Sequence, residues 1–308
     1  MSIIHNVIII GSGPAGLTAA IYNGRSKLKP LVLEGNQPGG QLSTTTAVEN
    51  WPGYSSILGP DLIQAMREQA KKCGATFSSD QVIRVDFSGP IHKLYTEGGA
   101  TYQTKAVIIA TGAQAKKLGC KGEQEYWGKG VTTCATCDAP FYEGKQVVVI
   151  GGGDTAMTEA EHLTHFARKI TIIHRSDKLA ATDPIKDKVL AHPNVTFLYN
   201  HTVNEIYGTD FKVTGVTIEN KITKEFINLS CDGVFVTIGM KPATELFKGH
   251  LEMDLHGYLI LSGKTATSKK GVFAAGDVAD YQYQQAITAA GTGCMAALDA
   301  AHYLNEKI

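Results

Sequence analysis

Residues 7–16 read VIIIGSGPAG and residues 147–156 read VVVIGGGDTA, so the chain carries the same device twice. Each copy opens with β-branched residues that have no polar face, the pattern of a strand covered on both sides. Each then enters a glycine turn and a stretch that suits a helix, LTAAIYNGR in the first and MTEAEHLTHFA in the second. Gly11, Gly13 and Gly16 form G-x-G-x-x-G; Gly151, Gly153 and Ala156 form the G-x-G-x-x-A variant. The first glycine permits the turn, and the second has no side chain to block a pyrophosphate. The third position lets helix and strand approach, while the helix start offers free N–H groups and the positive end of a dipole. One such motif is weak evidence. Two, each after an apolar strand, predict two dinucleotide-binding folds.

The second strand of each unit separates the copies. LVLE ends at Glu34, an acid placed to hold a ribose diol, whereas ITIIH ends at His174 and is followed by Arg175. A cation in place of the acid leans toward a ribose that bears a phosphate, although an arginine there also suits a solvated surface. AVIIATGA (106–113) reads as a buried strand ending at Gly112, and GVFAAGDVAD (271–280) as a strand that delivers Asp277 at a turn. The polar-interrupted stretch FKVTGVTIENKITKEFINL (211–229) alternates like a hairpin. The simplest arrangement that keeps both units whole inserts one domain in the other. The expected boundaries are 1–114, then 115–245, then a return to the first domain over 246–308.

The 308 residues suit about two domains. Lys plus Arg and Asp plus Glu are 29 each, so the formal charge is zero, which argues against binding driven by nucleic-acid phosphates or an acidic membrane. Hydrophobic residues make up 43% and no apolar run approaches membrane-spanning length. Glycine is 33 of 308, roughly 11% against a usual 7%. Met1 to Ile10 lacks a basic start and runs into Gly11-Ser12-Gly13, so no signal peptide and a cytoplasmic location are expected.

Of six cysteines, only Cys134 and Cys137 are close, in VTTCATCDAPF just ahead of the second apolar strand. Such a pair in a reducing compartment is redox-active or metal-binding more often than structural. On a turn entering a helix, the helix start lowers one thiol pKa, and the thiolate is the form that attacks a disulfide. Asp138 follows directly and can carry the exchanged proton if burial raises its pKa. A structural zinc needs four ligands, and only His162 and His165, on the helix of the second unit, lie near. Cys73, Cys120, Cys231 and Cys294 read as small apolar core residues.

Taken together, GSGPAG, GGQL (39–42), ENWPG (49–53), CATCD (134–138), GGGDTA, GVFAAGDV and QAITAAGTGCMAALDA (285–300) resemble the low-molecular-weight thioredoxin reductases along nearly the whole chain. That resemblance implies an α/β protein with two Rossmann-like domains of the three-layer ββα type, the pyridine-nucleotide domain inserted into the FAD domain. It implies a homodimer whose domains alternate between two orientations, FAD and NADPH as cofactors, and thioredoxin or a similar dithiol protein as partner. Residue by residue, it implies FAD contacts at Gly11, Ser12, Gly13, Pro14, Ala15, Gly16 and Glu34. Further FAD contacts are implied at Gly40, Gln41, Leu42, Asn50, Thr111, Gly112, Gly276, Asp277, Gln285 and Ala286. NADPH contacts are implied at Gly151, Gly153, Asp154, Thr155, Ala156, His174 and Arg175. Cys137 would face the flavin, Cys134 would exchange with the protein substrate, and Asp138 would be the acid/base.

The chain departs from that pattern where the family has His-Arg-Arg-x-x-x-Arg. Here His174-Arg175-Ser176-Asp177-Lys178-Leu179-Ala180 keeps one arginine of three. Each lost charge-assisted contact is worth about 1.5–3 kcal/mol, or about tenfold or more in affinity. Lys178 offers part of this back as a point charge. Thr158 and Gln284 also stand where the family has Glu and Arg. The leading expectation is a thioredoxin-disulfide reductase with weakened NADPH binding. The competing readings are use of NADH, ferredoxin or a deazaflavin as donor, a dithiol oxidase that passes electrons to oxygen, and a non-catalytic flavin redox sensor.

Overall fold

Val7-Ile8-Ile9-Ile10 is fully apolar, and in the computed structural model both faces of this strand are covered, as such a run requires. Residues 3–45 and 47–306 are described. They form six α-helices: α1 (Pro14–Arg25), α2 (Gly59–Lys72), α3 (Ala135–Asp138), α4 (Asp154–Leu163), α5 (Asp183–Leu190) and α6 (Ala286–Asn305). The packing divides the chain into two units, 1–114 with 240–308, and 115–239. The return to the first unit falls at Gly239–Met240, earlier than the boundary after residue 245 that the sequence suggested. The cause is local: Ala243 donates its N–H to Gly112 O at 2.9 Å and accepts the Thr111 hydroxyl at 2.8 Å, so this segment is already tied to the first unit.

In the first unit a seven-stranded sheet runs Thr76–Ser78, Leu31–Leu33, Ile4–Ile10, Thr101–Ile109, His92–Thr96, Val82–Asp86, with Val272–Ala274 also paired to Thr101–Ile109. The long strand pairs in parallel with Ile4–Ile10 along one edge and serves two partners along the other. Val107 to Ile109 pair in parallel with Val272–Ala274, while Thr101 to Thr104 pair antiparallel with His92–Thr96. It ends at Ile109 rather than Gly112, which sits in the following turn. Alternation then sorts the side chains. Val7 and Ile9 join Ala15, Ala19, Ala296 and Ala300 on the helical side, and Ile8 and Ile10 join Leu94, Phe247 and Val278 on the other. α1 and α6 approach closely, because a Cβ on Gly293 would lie 2.2 Å from Ala15 O. The small-residue run AAGTGCMAALDA is that contact written in sequence.

The second unit repeats the plan. Five parallel strands run Val131–Thr132, Gly233–Val236, Gln146–Ile150, Lys169–Ile173, Val195–Leu198. Val147, Val149 and Phe235 face the helix-side cluster with Ala156, Met157 and Ala160; Val148, Ile150 and Val236 face Ile206, Val213, Val216 and Ile218. Those last four belong to an antiparallel layer, His201–Gly208, Val213–Asn220, Phe226–Ser230, which contains the expected hairpin. The second unit is therefore a parallel sheet between helices and a second β layer, whereas the sheet of the first unit is mixed, with antiparallel pairs beside its parallel ones.

Candidate active site

The first glycine turn admits no side chain at two of its three positions. Gly11 has φ +104°, and a Cβ there would sit 2.2 Å from Ala110 O; a Cβ on Gly16 would sit 2.0 Å from Gly11 O. Gly13 differs, since its added Cβ would meet only Gly39 O, at 3.9 Å. Space is thus kept beside Gly13, where Pro14 opens α1 with its first amides unpaired. Ser12 Oγ accepts the Gly39 N–H at 3.0 Å and binds the 39–44 turn to this loop, bringing Gly40, Gln41 and Leu42 alongside. Gln41 Nε2 donates to Ala113 O at 3.0 Å, next to Thr111 and Gly112. Gly276 lies against α1, its Cβ position 3.0 Å from the buried Ala15 Cβ. Asn50 Nδ2 donates to Gln285 Oε1 at 3.4 Å, and Gln285 caps α6 just before Ala286. Of the residues that the family resemblance assigned to FAD, Gly40, Gln41, Leu42 and Gly276 therefore lie beside the glycine turn and the start of α1, while Asn50, Gln285 and Ala286 lie at the start of α6.

Glu34 follows its strand as expected and is 8% exposed, but it is not bare. Arg67 of α2 places Nη2 2.7 Å from Glu34 Oε2 and lies over the Phe77 ring at 4.8 Å. Arg67 was missed because no local motif links α2 to the end of the second strand. Asp277, half-buried after the Gly276 turn, receives no hydrogen bond from the described residues. Burial, helped by Asp280, pushes its pKa up to about 6. A ligand offering hydroxyl donors fits this carboxylate, and the open space at Gly13 fits a phosphate; both suit a dinucleotide.

The Asp277 shift has a consequence for stability with a definite sign. The folded pKa of about 6 exceeds the ordinary carboxylate value of 3.8, so the folded state holds a proton that the unfolded chain has lost, and stability falls as pH rises across that window. Asp277→Asn is expected to raise the thermal midpoint of the flavin-free protein above pH 6 and to leave it unchanged near pH 3, measured by scanning calorimetry. An equal effect at both pH values would contradict this.

In the second unit, Gly151 and Ala156 pack together, with the Gly151 Cβ position 2.8 Å from Ala156 Cβ, while beside Gly153 there is open space. His174 and Asp154 do structural work here. The His174 ring lies on the turn, leaving 2.2 Å to a Gly152 Cβ, and its Nε2 is 2.9 Å from Lys178 O. Asp154 Oδ1 accepts the Thr182 N–H at 2.7 Å and hydroxyl at 2.9 Å. Ala180 and Ala181 donate to Gly152 O. The 174–182 segment is thereby folded onto the glycine turn, with Arg175, Ser176, Asp177, Lys178 and Ala180 exposed and Thr155 exposed on the first turn of α4.

Cys134 and Cys137 form a disulfide with Cα atoms 5.3 Å apart. Cys134 caps the four-residue α3, and its Sγ accepts the Cys137 N–H at 3.2 Å. Ala135 and Ala139 are fully buried in the cluster with α4 and anchor the turn. Asp138 is half-buried; burial drives its pKa up, opposed by a hydrogen bond with Thr132. Glu159 of α4, not singled out by sequence, accepts the Ala135 N–H. Among the other cysteines only Cys231 is buried, and the remaining three are half-buried rather than core. Burial pushes the Cys231 thiol up to about 12 and Cys120 to about 11, so neither is a nucleophile near neutral pH. His162 ends the α4 region, and His165 lies in the turn beyond it.

Two glycine turns on parallel sheets and a dithiol at a helix start define a nucleotide-linked disulfide oxidoreductase. The family pattern described as pyridine nucleotide-disulphide oxidoreductase matches residues 5–293, and the chain belongs to that family. Within it the chain falls among the thioredoxin reductases. It is 50% identical over 307 residues to a thioredoxin reductase of Streptomyces clavuligerus, covering 99% of this chain and 95% of the relative. To that of Rickettsia conorii it is 49% identical over 310 residues, covering 99% and 100%. The solved thioredoxin reductase of Giardia duodenalis superposes with a TM-score of 0.94 at 42% identity, covering 97% of this chain and 98% of that one. No helix among the described residues is long and apolar enough to cross a membrane.

Proposed function

We propose that the chain is an FAD-dependent reductase that draws electrons from weakly bound NADPH and delivers them through Cys134 and Cys137 to thioredoxin or a similar dithiol protein. In this reading it works as a cytoplasmic homodimer. The observation that carries it is the disulfide at the start of α3 with the half-buried Asp138 beside it. Gly11 to Gly16, Glu34, Gly40 to Leu42, Asn50, Thr111, Gly112, Gly276, Asp277, Gln285 and Ala286 would hold the flavin, which when bound would supply two-electron reduction of that disulfide. The protein's own residues carry the exchange. Cys134 is the attacking sulfur, because the Cys137 N–H donates to it and stabilises its anion. The Cys134 thiolate bonds to one sulfur of the partner disulfide, whose S–S bond breaks, and the departing sulfur takes the proton of Asp138. Cys137 then loses its proton to Asp138 and attacks Cys134. That step re-forms the Cys134–Cys137 bond and releases the second partner sulfur to be protonated from solvent. The partner gains two electrons and two protons; the chain loses two electrons and one proton, and solvent supplies the other proton.

Gly151, Gly153, Asp154, Thr155, Ala156, His174 and Arg175 form the donor site in this proposal. The exposed Ser176 and Ala180 support weakened recognition of a 2′-phosphate, and they also favour the second reading, in which NADH or another donor serves. Restoring arginine by Ser176→Arg and Ala180→Arg is expected to lower the KM for NADPH about tenfold per residue, leaving NADH unaffected. Anaerobic titration of the flavin band with NADPH, NADH and dithionite decides between the readings. Bleaching by dithionite but by neither nucleotide overturns the NADPH assignment.

A further inference from the structure

Glu159 stands on α4 where that helix meets the redox turn. Its carboxylate accepts the N–H of Ala135, the first amide of α3 after the Cys134 cap. Such an amide otherwise lends its positive field to a sulfur anion. Here a carboxylate has taken it, and the Cys137 N–H donates to Cys134 Sγ. The expectation that the helix start simply acidifies a thiol is therefore incomplete, because the start carries a negative partner.

We propose that Glu159 is a positioning residue of the disulfide-exchange centre: it seats α3 through the Ala135 amide, and its charge restrains the anion at Cys134. This rests on the assignment of Cys134, Cys137 and Asp138 as that centre. The other ionisable groups facing it are few. Burial, with Asp138 as the next cause, pushes the Tyr142 hydroxyl up to about 12, and Cys231 likewise stands at about 12, so both are neutral near pH 7. Asp232 is occupied by the Gln146 N–H at 3.0 Å. Burial raises the pKa of both Glu159 and Asp138, and the Asp138 charge raises that of Glu159 further. The repulsion is mutual, so each carboxylate makes the other easier to protonate.

The test uses the full chain, reduced with dithiothreitol and pulsed with iodoacetamide across a range of pH, with alkylation mapped by mass spectrometry. Glu159→Gln, which keeps an acceptor for the amide and removes the charge, is expected to speed Cys134 alkylation at pH 7 about tenfold. Glu159→Asp, with the charge on a shorter arm, should fall between the two. A wild-type alkylation profile across pH in whichever of these variants fold would overturn the proposal. Should wild-type alkylation fall on cysteines other than 134 and 137, both the proposal and the centre it rests on fail.

Discussion

Cys134→Ser is expected to lose disulfide reduction by roughly 1,000-fold or more, because a serine hydroxyl stays protonated where a thiolate would attack. Cys137→Ser should fail equally in turnover but differently in kind. It retains the attacking sulfur and should trap the partner as a stable mixed disulfide with Cys134, visible by mass. Both variants should keep the fold. α3 is anchored by the fully buried Ala135 and Ala139, not by the sulfur bridge alone. Cys120 and Cys231 offer no rescue, since burial holds them as thiols, at about 11 and about 12. Turnover of a protein disulfide near the wild-type rate by Cys134→Ser would remove the basis for this assignment. A flavin sensor that needs no exchange predicts that Cys134→Ser leaves the biological role intact, whereas a reductase predicts loss of disulfide reduction.

The second large effect belongs to Gly13. Its backbone is extended, φ −69° and ψ −175°, a conformation that valine adopts readily, and nothing but Gly39 O at 3.9 Å lies near its Cβ position. Gly13→Val is therefore expected to fold normally and to fill the space kept for a pyrophosphate. Loss of two charge-assisted backbone contacts, at about 1.5 kcal/mol each or more, predicts at least about a 100-fold weaker flavin. The purified variant should be colourless, with a flavin-free thermal midpoint equal to that of the flavin-stripped wild type. Gly11→Ala makes the contrast. Its Cβ would drive into Ala110 O at 2.2 Å, so the expected result is a misfolded chain, not a colourless one. A yellow Gly13→Val protein would mean that the cofactor phosphates lie elsewhere.

What could be read from sequence follows from how local each signal is. The two strand–glycine–helix units were legible because their rule is written in consecutive residues. CATCD announced the redox turn for the same reason. Arg67 and Glu159 were not legible. Each reaches its partner from a helix distant in sequence, Arg67 to Glu34 and Glu159 to the amide of Ala135, and surface helices abound in such charges. His174 and Asp154 were legible as members of the second nucleotide motif, but not as the residues that fold the 174–182 segment onto the glycine turn. The domain return was placed after residue 245 because the strand pattern ends near there. The hydrogen bonds of Ala243 to Gly112 and Thr111, which set the crossing at Gly239–Met240, leave no mark on sequence.

The most direct test of the account counts thiols. The flavin-loaded protein is reduced anaerobically with one equivalent of NADPH, or of dithionite if NADPH does not bleach it. It is then mixed with oxidised thioredoxin, quenched with iodoacetamide at intervals and mapped by mass. The account predicts that two new thiols appear per chain, at Cys134 and Cys137, and that they vanish in step with the appearance of two on the partner. Reduction of the flavin and of thioredoxin with Cys134 and Cys137 remaining joined throughout would contradict it.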